Sequence, residues 1–131
     1  MNEYFEKVID YINKLSLDIE TQDNEEEMVI VTNEDKGIYK MVVDCEYPVL
    51  IIEQLMYDIK SFSTKHFLEL LKMNRNLIHG AFVVDEDEKH VIFRDTLQLE
   101  NLDFNELEAT INSLSLGLAE YSGNLLKLNQ Q

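Results

Sequence analysis

The residues best equipped for chemistry in this sequence are three histidines, one cysteine and two runs of acids. His66, His79 and His90 could each ligate a metal or move a proton. A structural zinc site needs four donors, and none of the three has a second His, Cys or Asp at ligand spacing. No metal is therefore expected, and His66 reads as a surface residue near a helix start. Cys45 lies between Asp44 and Glu46. Both charges raise a thiol's pKa and blunt it as a nucleophile, so Cys45 reads as a half-buried strand thiol. Asp85-Glu86-Asp87-Glu88 begins like a calcium loop, but the sixth and twelfth positions, which require Gly and Glu, hold His90 and Thr96. That run is expected at a solvated hairpin tip, and Glu25-Glu26-Glu27 in a solvated turn. No Gly-x-Gly-x-x-Gly, phosphate loop or Ser/His/Asp arrangement occurs. No catalytic residue is assigned. A small enzyme or small-ligand-binding domain would have to gather its residues from scattered positions, and it stands as the alternative to a non-catalytic protein-binding chain.

The bulk numbers narrow the class. The 131 residues, 45% of them apolar, suit one domain spanning 1–131 with a single core. Charged residues make up 28%, and no apolar run approaches the ~18 residues of a bilayer span, so membrane insertion is not expected. The start, Met1-Asn2-Glu3-Tyr4-Phe5-Glu6-Lys7, lacks the basic-then-apolar pattern of a secretory signal. With a lone cysteine besides, the cytoplasm is the expected compartment. A net charge of −15 repels phosphate backbones and anionic lipid, which argues against nucleic acid as a partner. The same charge keeps a chain soluble, and it attracts basic protein segments.

Apolar spacing then supplies the elements. Phe5, Val8, Ile9, Ile12 and Leu15 step by three and four, which predicts a helix capped by Asn2 and ending near Ser16. Strands are expected at Leu17–Thr21, Met28–Thr32 and Ile38–Cys45, the last with faces Ile38/Lys40/Val42/Asp44 and Tyr39/Met41/Val43/Cys45. A loop over Asn33–Gly37 separates the last two, its Gly37 free to take a positive φ. Val49–Ile59 fits a helix after Pro48 or a buried strand, and the strand through Tyr57 is favoured because another helix starts soon after. Ser63 caps that helix, which carries Phe67, Leu68, Leu70, Leu71 and Met73 and frays around Asn74-Arg75-Asn76. Ile78–Val84 and His90–Leu99 read as a hairpin. Asp103 with Glu106 forms a capping pair for a final helix of about 25 residues. Its stripe runs Phe104, Leu107, Ile111, Leu114, Leu118, Tyr121, Leu125 and Leu128. Ser115, Ala119, Ser122 and Gly123 lie off that stripe, where small residues allow another backbone to approach or simply meet solvent. The order is α-β-β-β-(β)-α-β-β-α, and the short turns imply a mainly antiparallel sheet with helices packed against it.

The second half has Leu70, Leu71 and Asn74 at the end of the middle helix, Gly80 before a strand, Leu97-x-Leu99 in the next, and a long closing helix. In this pattern it resembles the type III secretion chaperone-like superfamily, in its YbjN-like branch. The resemblance implies an α+β fold, a twisted, mainly antiparallel sheet with three helices in the order α-β-β-β-α-β-β-α. It also implies a homodimer without catalysis or cofactor. The partner it implies is another protein, either an effector segment or, for relatives encoded beside them, a coiled-coil stress protein. The expected interface residues are Phe67, Leu71, Leu116, Ala119 and Gly123.

Overall fold

The structure, a computed structural model, describes residues 2–61 and 63–130. It contains α1 (Glu3–Lys14), β1 (Asp18–Asp23), β2 (Met28–Asn33), a short 3-10 turn (Glu34–Lys36), β3 (Ile38–Glu46), β4 (Val49–Asp58), α2 (Thr64–Asn76), β5 (Ala81–Val84), β6 (His90–Gln98) and α3 (Phe104–Gln130). The six strands form one antiparallel sheet in the order β1-β2-β3-β4-β6-β5. The ambiguous stretch after Pro48 is a strand, so four strands precede α2 rather than the three of the family-like order.

Each helix starts on the cap its sequence offers. Asn2 Oδ1 accepts from Tyr4 N, Ser63 Oγ from His66 N and Asp103 Oδ1 from Glu106 N, at 2.8, 3.0 and 2.9 Å. The α3 stripe is the core-facing side: Leu107, Ile111, Leu114, Tyr121, Leu125 and Leu128 are buried. At about 1.5 Å per residue this helix is about 40 Å long and crosses the sheet, touching β3 and β6.

Alternation in the strands sends one set of side chains to the helices. Val29, Val31, Met41, Val43, Ile52 and Phe93 share a core with Phe5, Val8 and Ile12 of α1. The alternate set, including Met28, Ile30, Val42, Asp44 and Ile51, lies half-buried on the face without helices. Ile38 departs from the expected faces: it is buried with Met41 and Val43. Lys40 takes φ +47°, and this irregularity shifts the alternation within β3. Buried Gln54 meets the backbone groups that the irregularity leaves over, accepting from Tyr39 N at 3.0 Å and donating to Gly37 O at 3.1 Å.

Three other expectations change. His66 is 2% exposed, not at the surface. It follows the Ser63 cap by three residues, on the face shared with buried Leu70 and Met73. Asn74–Asn76 is helical rather than frayed, because Asn74 is tied on both sides of its amide: Nδ2 donates to Phe82 O at 3.0 Å, and Oδ1 accepts from Phe82 N at 2.7 Å. β5 begins at Ala81, not Ile78, because Gly80 takes φ +74° and breaks the extended chain. A Cβ on Gly80 would sit 2.4 Å from the Phe93 ring, so the position needs glycine.

Candidate binding surface

The segment between α2 and β5 builds a groove along α3. Leu77 ends α2 in an extended conformation. The Ser113 hydroxyl then holds the next turn, accepting from His79 N at 3.1 Å and donating to His79 O at 2.6 Å. Asn76 Nδ2 donates to the Tyr121 phenol at 2.9 Å. Gly117 is the place of close approach on this helix: a Cβ there would lie 2.8 Å from Leu77 Cδ2. The result is a groove of about 470 Å³ lined by Leu77, Ile78, Leu116, Ala119 and Glu120 among others. Ile78 is 78% exposed and Leu116 65%. The polar groups Asn76 and Ser113 in its wall are already engaged within the chain.

A second groove of about 270 Å³ runs along the other flank of α3, between Met56 and Tyr57 of β4 and Leu118, Leu125, Leu126 and Asn129. Asn129 Oδ1 is buried there without a hydrogen-bond partner.

The expected interface residues fall in different places. Leu116 and Ala119 share the first groove. Leu71 is 67% exposed on α2. Phe67 is half-buried against the core, its ring stacked on His66 with centroids 5.4 Å apart. Gly123 is exposed, and a Cβ on it would meet nothing within 4 Å. Of the small residues grouped with it by sequence, Ser122 lines the second groove and Ala119 the first, so α3 splits them between its flanks. Ile78 was missed as a surface apolar residue because it reads as the start of a strand. Its neighbour Gly80 carried the signal that the strand begins later.

The titratable groups have separate explanations. Burial holds His66 below its ordinary range and pushes Tyr57 up to about 12. Cys45 is half-buried and pushed up to about 12, first by burial and then by Glu27, Asp44 and Glu46. Sequence spacing pointed to the two adjacent acids but not to burial as the larger cause. His90 has carboxylates at both ring nitrogens, Asp85 at 2.5 Å and Asp58 at 3.3 Å. The hydrogen bond with His90 draws Asp85 down to about 2, and the same bond raises His90. Spacing along the chain gave no sign of this trio, since Asp58 arrives from β4. Among the described residues, no group of three or more His, Cys, Asp or Glu is arranged to hold a metal ion. No helix is long and apolar enough to cross a membrane among those residues.

Residues 1–131 match the CesT_Tir_1 family of type III secretion chaperones. The chain belongs to this family. Solved structures share its fold at low identity. YbjN from E. coli superposes with a TM-score of 0.70 at 9% identity, covering 92% of each chain. A chain of the HopA1–SchA chaperone–effector complex gives 0.62 at 15%, covering 89% of this chain and 92% of the other. The Yersinia pestis type III secretion chaperone SycH, in complex with a stable fragment of YscM2, gives 0.61 at 18%, covering 88% and 98%. A comparison with the curated proteins gives no match.

The family's pattern now has a physical content. Leu70 and Leu99 are core, Leu97 packs against it, Asn74 ties α2 to β5, and Gly80 makes room for Phe93. Leu71 alone of the pattern points to solvent.

Proposed function

We propose that this chain is a non-catalytic cytoplasmic binding protein that works as a homodimer and holds a segment of a partner protein, as a chaperone does. The observation that carries this reading is the apolar groove beside α3, with Ile78 and Leu116 exposed over it. Large apolar side chains clustered at a surface mark sites of protein contact. An amphipathic helix laid in such a groove is an ordinary mode of peptide recognition. Family membership supports the reading, and SchA and SycH are seen in complexes with an effector and with a partner fragment. Phe67, Leu71, Leu116, Ala119 and Gly123 are the residues assigned to contact. The partner is an effector segment or a coiled-coil stress protein, and the −15 charge disfavours nucleic acid.

Light scattering at micromolar concentration tests the oligomer, with a mass about twice the 15.4 kDa of one chain expected. A monomer throughout that range overturns the homodimer. Affinity purification of the tagged chain from its own host, with mass spectrometry, tests the partner. A stoichiometric protein should be retained by the wild type and lost with Leu116→Arg or Ala119→Arg, both folded by circular dichroism. Retention unchanged by either substitution removes the groove as the site.

A further inference from the structure

The sheet face without helices carries a second arrangement of side chains that contact within this chain does not explain. Asp44 lies at its centre, paired across the strands with Met28 on one side and Ile51 on the other. Val42 precedes it on the same face, and Ile30 is Val42's cross-strand partner. These aliphatic neighbours take Asp44 Oδ1 out of water, where it has no hydrogen-bond partner. Glu46, two residues on along the same strand, sets a like charge against Asp44 and, after burial, opposes its ionisation most. Glu26 and Glu53 add negative charge around them. Arg94, on β6, is paired with Glu53 at 3.2 Å. The face therefore combines aliphatic surface with an uncompensated negative centre.

We propose that this helix-free face is a docking surface for an apolar segment of a partner protein bearing a lysine or arginine, whose charged head sits over Asp44 while its methylene stem lies on Val42 and Ile51. Charge complementarity selects the occupant. A long basic side chain covers apolar surface with its stem and presents a cation at its end, which is the combination lacking here. A second copy of the chain brings the same acids to the contact and is repelled. A metal ion is disfavoured because no cluster among the described residues is arranged to hold one. The proposal rests on the reading of the chain as a partner-binding protein and adds a surface and a chemistry to it.

Two synthetic peptides test it on the full chain, one alternating valine with lysine and one alternating valine with glutamate. Binding is followed by amide NMR shifts at about 0.15 M salt, so that long-range attraction to the acidic chain is screened. The lysine peptide should move signals of β3 and β4 around Asp44 and Ile51, and the glutamate peptide should move none. Asp44→Asn should weaken binding roughly ten-fold or more, as loss of a close charge partner does, while Glu6→Gln on exposed α1 removes the same charge and should change it less than about two-fold. Asp44, held up to about 6, must release its proton to receive a cation. Binding should therefore weaken from about pH 7.5 to about pH 5. The proposal is overturned if the lysine peptide does not bind, if its shifts lie elsewhere, or if the two substitutions act alike. Those failures leave the α3 groove untouched, because its test reads Leu116→Arg and Ala119→Arg instead.

Discussion

The Tyr57 phenol oxygen lies 2.6 Å from Nε2 of His66, and the two rings stack with their planes 25° apart. Phe67 stacks on the same imidazole, so two aromatic rings pack against it. Such a site favours the neutral imidazole.

His66 should accordingly titrate below the ordinary 6.5, and His90, paired with Asp85, above it. The stability effects have opposite signs. For His66 the unfolded chain takes up the proton first, so its contribution is intact above the unfolded pKa and lost as the pH falls. For His90 the contribution is complete below the unfolded pKa and lost as the pH rises through its raised value. Following the imidazole carbon–proton signals by NMR checks this, and a His66 midpoint at or above that of His90 would contradict it.

Asp44→Asn should stabilise the chain at neutral pH. The folded pKa of Asp44, about 6, lies above its ordinary 3.8, so the unfolded state gives up this proton first as pH rises. The wild type keeps its full contribution below the unfolded value and loses it as pH rises through about 6. The gain from the substitution should be about 1 kcal/mol once solvent screening of the neighbouring acids is allowed for. It should vanish in acid. Urea unfolding of both proteins at several pH values measures this; equal stability at neutral pH would show that the carboxyl is well solvated after all.

Two glycines should respond in opposite ways to alanine. Gly80→Ala meets both a positive φ and the Phe93 ring, and should cost roughly 1–3 kcal/mol. Gly123 is inside α3 with open space where a Cβ would go, so Gly123→Ala should stabilise by about 1 kcal/mol through helix propensity. Melting temperatures moving down and up respectively are the expected result, and a shift in the same direction for both would refute it.

Leu114 is fully buried on the α3 stripe. Leu114→Ala should destabilise by about 2–5 kcal/mol, the cost of truncation in a packed core. A loss within about 0.5 kcal/mol in denaturant titration would place that side chain at a yielding surface instead.

Much of this fold was legible because period and caps agree. The α3 stripe, the Asn2, Ser63 and Asp103 caps, and the positive φ at Gly37 all follow from local pattern. What escaped depends on distant parts of the chain meeting. His66 has an ordinary helix-start position, and only the 66–70–73 spacing hinted that it faces inward. Lys40's positive φ moves Ile38 to the buried face, and no glycine marks it. Asp44 alternates correctly away from the core, yet its lost solvation comes from Met28 and Ile51 on neighbouring strands. The first groove beside α3 exists because Ser113 fastens a turn 34 residues away in the chain.

The amide of Asn74 occupies the outward backbone groups of Phe82 in the four-residue β5, while no strand lies beyond β1 among the described residues. The sheet is thus blunted at one border and free at the other. Growth by strand addition has a single starting point. Two copies that met β1 to β1 would consume both free borders at once, and the joined sheet would be terminated at each end. Fibre formation needs a border that is renewed with every added chain. Here each addition would expose only a blocked one, so the same side chain that anchors a helix also acts as a stop against polymerisation.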